Sequence, residues 1–232
     1  RRGPLQTENF SQTNSTIQPM KRTQLLNRLA LALLVFGNVS FGMAQTAKEV
    51  FNSSEQITYL GIDFSDLKYI GDSGADLDAI KNKWFAAIND VVVNEPKKYD
   101  LRKAFQKSDV PSDLSYVSAK NATTETSKII SFKSEDANRF TPATIAAKVK
   151  EYNFGGKKGV GLLFITESWD KTQKQASMYV TLVEMGSRRV IFTERMTGKA
   201  GGFGFRNFWV HPVLEVIEQI ERRKLSEWKK RG

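Results

Sequence analysis

The 232-residue sequence contains no cysteine, and that absence removes thiolate zinc sites, iron–sulfur clusters, cysteine nucleophiles, disulfide staples and the lipid-bearing cysteine of bacterial lipoproteins. A single histidine, His211, leaves little basis for a histidine-rich metal site. Long apolar runs are missing as well. The strongest, residues 29–36, is interrupted by Gly37 and Asn38, well short of the roughly 20 residues that cross a hydrocarbon core. No metal, cofactor or transmembrane anchor is therefore assigned. What is present, 40% hydrophobic and 26% charged residues, is the balance of a folded globular chain of one domain rather than of a disordered or collagenous one.

The first 19 residues are polar and aperiodic and are read as an upstream extension, with Met20 as the initiator. From Met20 the order is basic (Lys21, Arg22, Arg28), apolar (29–36), then Gly42-Met43-Ala44 before Gln45, which is the layout of a secretory signal peptide cleaved after Ala44. The expected mature chain is one domain, 45–232, exported to the periplasm or beyond. Losing residues 1–44 removes five basic side chains and one acidic, and lowers the net charge from +10 to +6. That excess suits an envelope protein or an anionic envelope polymer as partner. A nucleic-acid footprint, a basic stripe with exposed aromatics, is matched only near residues 199–209, and export argues against it.

Residues 56–70 carry apolar side chains on both parities, the pattern of a strand covered on both faces. Leu77, Ile80, Trp84, Ile88 and Val91 follow at helical spacing until Pro96. Residues 97–138 are polar, with a short helix near 101–107, a turn at Pro111 and a strand at 128–132. Thr141-Pro142 opens a helix whose buried stripe is Ile145, Val149 and Tyr152. Three runs, 159–166, 175–184 and 190–195, are strands joined by short polar links and are antiparallel neighbours. The chain from Phe208 to Lys230 closes as an amphipathic helix, with cations gathered toward its C-terminal end. The order predicts a layered α/β (α+β) sandwich whose mixed, mainly antiparallel sheet of about five strands is covered by helices.

The most distinctive segment is Gly198 to Asn207, GKAGGFGFRN, followed by Trp209. Its glycines allow close approach of backbone amides, and Lys199 and Arg206 add charge, which are the ingredients of an anion cradle. It matches neither phosphate-binding fingerprint, so a tight junction with close helix–sheet contact explains the same glycines. Its aromatic residues suggest a docking edge. The candidate partner- or anion-binding residues are accordingly Lys199, Gly201, Gly202, Phe203, Gly204, Phe205, Arg206, Asn207 and Trp209. Ser65-Asp66-Leu67-Lys68 matches the S-x-x-K string of penicillin-recognising enzymes but lies at a strand end without its companion elements. Asp63, Asp66, Asp72, Asp76 and Asp78 miss the calcium-loop spacing. Glu151, Glu167, Glu184 and Glu194 near strand ends leave a carboxylate-dependent glycan hydrolase as the rival to a non-enzymatic module.

Two stretches, GVGLLFITE at Gly159 to Glu167 and GKAGGFGFRN at Gly198 to Asn207, resemble signatures of exported α/β proteins from Bacteroidota-type Gram-negative bacteria. The likeness implies export and brings no activity with it. In element order alone the chain is similar to the periplasmic domain of the curli secretion channel and of outer-membrane activators of peptidoglycan synthases. Those proteins are tethered through a cysteine that this chain lacks, and shared architecture does not transfer function.

Overall fold

The computed structural model describes residue 3 and residues 45–231. The expected signal peptide, residues 20–44, and all of the expected upstream extension except residue 3 lie outside the described residues. The chain divides at Ala44/Gln45, and the unit beginning at Gln45 carries every element named below. Helix α1 (Ala47–Asn52) starts on a capping box, with the Thr46 hydroxyl taking the Glu49 N–H and the Glu49 carboxylate taking the Thr46 N–H. Strands β1 (Ile57–Asp63) and β2 (Lys68–Ile70) then lie end to end along β4 (Val160–Asp170), both parallel to it. The two-residue β3 (Ile130–Ser131) adds outside β2. On the other side of β4 come β5 (Gln175–Glu184) and β6 (Arg189–Lys199), both antiparallel. The sheet is thus mixed, its six strands filling five positions, and most of its paired residues are antiparallel.

One face of the sheet is covered by α1, by α2 (residues 77–94), by α3 (Leu101–Phe105) and by α6 (residues 205–231). The other is covered by α4 (Ser115–Ala122) and α5 (Pro142–Lys150), with Val117, Ile145 and Val149 buried there against Leu163, Ile165 and Tyr179. The residues of β4 alternate between the two cores, Leu162 and Phe164 to one and Leu163 and Ile165 to the other, as period-two side chains of a doubly covered strand must. No helix among the described residues is long and apolar enough to cross a membrane.

The departures from the expected elements have physical causes. In α2 the segment Ile80–Trp84 makes a π-turn, so Ile80 and Phe85, five apart, both face the sheet while Trp84 is only half-buried. Ile220–Lys224 of α6 does the same for Ile220 and Leu225. Strand β4 runs four residues past Thr166 because Glu167, Ser168 and Asp170, polar in sequence, are buried and hydrogen-bonded. Residues 56–70 are two strands rather than one, since Asp63 takes the Ser65 N–H in a turn that breaks the run. Helices α1 and α4 are additional to the expected elements.

The outer edge of β1 is hydrogen-bonded from Tyr59 to Phe64 by groups outside the sheet. Asn89 of α2 takes the Ile62 N–H (2.7 Å) and returns its own amide to the Ile62 carbonyl (3.1 Å). Asn121 of α4 takes the Phe64 N–H (2.7 Å), and the backbone at Pro111 and Asp113 pairs with Tyr59. Gly61 (φ +105°) sits at a bulge here, where a Cβ would come within 2.6 Å of Val117 and 2.7 Å of the Asn89 side-chain Oδ1.

Candidate functional site

The segment singled out by sequence joins the end of β6 to the start of α6, and its shape follows from two residues, Gly198 and Pro212. A Cβ on Gly198 would lie 2.7 Å from the Pro212 Cα, so only glycine lets the helix pack this closely on the strand. Pro212 stands inside α6 without an N–H to give, which leaves the Phe208 carbonyl without its helical donor. The loop supplies the replacement: the Gly201 N–H donates to the Phe208 oxygen at 3.2 Å. The proline that weakens the helix therefore ties down the loop.

Further ties come from the exposed side of α6. Glu215 takes the Lys199 N–H (2.8 Å), the Lys199 carbonyl lies 2.9 Å from His211 Nδ1, and Gln219 donates to the Thr197 carbonyl (2.9 Å). Gly202 and Gly204 take positive φ, +95° and +79°, and Gly204 is the N-cap of α6. At the tip of this pinned loop Phe203 is 96% exposed.

Beside it is a groove of about 260 Å³, floored by aromatic rings. Trp209, buried, stacks on Trp169 at 5.1 Å and meets Tyr69 edge-on at 5.5 Å. Phe205 stacks on Trp84 at 5.4 Å, and Phe208 stands edge-on to Trp209 at 5.0 Å. Such ring pairs contribute about 0.5–1.5 kcal/mol each beyond burial, so the floor is stiff. One polar feature interrupts it: Asp72 takes the Tyr69 hydroxyl (2.8 Å) and pairs with Lys171. The Lys171 ammonium, opposed by partial burial and aided by the Tyr69 hydroxyl, holds the Asp72 carboxyl below its ordinary range. Burial, then the neighbouring Asp72, pushes the Tyr69 phenol up, so it remains a neutral donor.

The structure brings Gly202, Gly204, Phe205 and Trp209 onto this groove with Phe203 beside them in the loop. Arg206 and Asn207 face solvent, the Arg206 Nε donating to the Asn207 side chain (3.1 Å), and Lys199 is exposed at the strand end. The anion cradle meets competition from within, because the Gly201 amide serves Phe208 and the Lys199 amide serves a carboxylate. Tyr69, Asp72, Lys171 and Phe208 complete the groove. The first three come from β2 and the loops after β2 and β4, which a segment-by-segment reading of sequence does not connect to residue 203.

The other candidates are dispersed. Ser65 lies in a turn and Lys68 opens β2, so S-x-x-K does not sit on a helix. Asp63 takes the Tyr152 hydroxyl (2.7 Å), Asp66 pairs with Lys148, and Asp76 caps α2. Among the described residues no three His, Asp or Glu side chains gather to hold a metal ion. Glu151 pairs with Lys120, Glu167 with Arg195, Glu184 with Arg189, and Glu194 with Lys224 and Arg231, so no two of these carboxylates share a cation. Comparison with protein-family models, with curated proteins and with solved structures returns no match. Function must be read from the site.

Proposed function

We propose that this chain is a non-enzymatic interaction module that docks a protein partner on the groove between β2 and the start of α6. The observation that carries the reading is Phe203, almost wholly in solvent at the tip of a loop fixed on both sides and adjoining a floor of packed rings. A phenyl ring left in water gains nothing for the isolated fold, whereas buried against a partner it contributes about 1.5–3 kcal/mol. Preorganised aromatic patches with a polar rim are where interface hot spots cluster. The Asp72–Lys171 pair supplies that rim.

The leader-like residues 20–44 support export, and the partner is then an envelope protein met in the periplasm, where this chain serves as an accessory in envelope assembly or secretion. Capture from envelope extracts with the wild-type chain and with Phe203, Phe205 and Arg206 changed to Ala tests the reading. Loss of an aromatic anchor costs about 2 kcal/mol, or roughly 30-fold in Kd, and the partner band should disappear from the variant. The same bands with and without the substitutions would refute it.

A further inference from the structure

A second exposed ring stands over different ground. Phe132, 68% exposed after β3, lines a cleft of about 420 Å³ in which polar side chains from β4, β5 and β6 stand among apolar groups such as Ile70 and Ala137. The floor is made by a bulge: β4 and β5 pair Thr166 with Met178 and then Ser168 with Ser177, leaving Glu167 as the extra residue. Glu167 is fully buried and takes three donors, the Phe140 N–H, the Ser177 hydroxyl (3.1 Å) and Arg195 Nε (2.7 Å). Arg195 is fixed again by the Ala137 carbonyl (2.6 Å), while the Ser168 and Ser177 hydroxyls lie 2.8 Å apart. With two of its five N–H groups engaged, the partly exposed guanidinium keeps the others for the cleft it lines.

The charges decide what kind of ligand fits. Glu167 cancels Arg195, and the remaining carboxylate at the cleft, Asp170, takes the Thr172 hydroxyl (2.6 Å) and the Gln173 N–H (2.9 Å). Among the lining residues the charges are one Asp170 and one Arg195, so the lining itself carries no positive excess for an anion. Gln175 adds an amide that both donates and accepts. A preorganised polar wall facing an exposed phenyl ring suits a molecule with one apolar C–H face and a rim of hydroxyls, and the cleft is within the range of small-molecule pockets.

We propose that this cleft binds a neutral saccharide, with the pyranose C–H face on Phe132 and hydroxyls on Gln175 and Arg195. The site is separate from the docking groove and does not depend on it. The test is an array of neutral, sulfated and sialylated oligosaccharides probed with the full chain, followed by titration of the best-bound glycan into wild type, Phe132→Ala and Gln175→Ala. Both substitutions are at partly or largely exposed side chains, and circular dichroism checks their folding. The expected result is retention of neutral glycans, with affinity lowered at least about tenfold by either substitution. Binding to no glycan, binding only to charged glycans, or affinity unmoved by both substitutions would overturn the proposal.

Discussion

Phe132 and Phe203 are the two large apolar side chains standing out of the described surface, yet the ground beneath them is of opposite kinds. In the groove beside the Phe203 loop the lining is rings, Tyr69, Phe205, Phe208 and Trp209, with a single ion pair at the margin. Under Phe132 the lining includes hydroxyls, amides and a guanidinium resting on a buried carboxylate. The two proposals rest on this contrast, an apolar floor for a protein partner and a polar one for a saccharide. The aromatic floor is held by stacking and by a glycine–proline contact, which salt and pH leave alone. The polar one depends on the Glu167–Arg195 pair, whose partners are costly to separate.

The comparison can be broken at its supports first. Gly198→Val should be the most damaging change, costing about 3 kcal/mol in urea unfolding, because the added atoms meet the Pro212 backbone, which cannot step aside. Glu167→Gln should follow at about 2 kcal/mol in the same assay, since it leaves Arg195 without a counter-charge, softened by the partial exposure of that arginine. If Glu167→Gln proved neutral, the polar floor would not be preorganised by charge.

A smaller effect separates the groove from its rim. Because the folded-state pKa of Asp72 is depressed, its contribution to stability is present above the ordinary carboxylate range, near 4, and is lost as pH falls below it. The difference in unfolding free energy between wild type and Asp72→Asn should therefore be largest at neutral pH, amount to less than about 1 kcal/mol, and shrink toward pH 2. Smallest of all, Phe132→Ala and Phe203→Ala should each move stability by no more than about 0.5 kcal/mol, although each should weaken its own ligand.

How far the sequence foretold this depends on whether a feature is local. The helix after Thr141-Pro142, the three antiparallel strands and the sheet-facing stripe of α6 are written in period and capping, and all are found. The Gly198–Asn207 segment was visible because glycine and phenylalanine alternate in it. Its Pro212 contact, and the use of the Gly201 amide to satisfy Phe208, were not, because they depend on how close two elements come. Phe85 falls outside the regular helical spacing of Ile80, Trp84 and Ile88 because a π-turn adds a residue to the period. Glu167 looked like the start of a polar link; its burial is compensated by donors from the backbone before α5, from β5 and from β6, three places that a linear reading keeps apart.

The most direct measurement places a photo-activatable benzoyl-phenylalanine at position 203 in cells that make the protein, with and without Trp209→Ala to disturb the floor. The account predicts a discrete protein adduct formed from position 203 that is lost when Trp209 is replaced. No adduct, or one indifferent to Trp209, would contradict it.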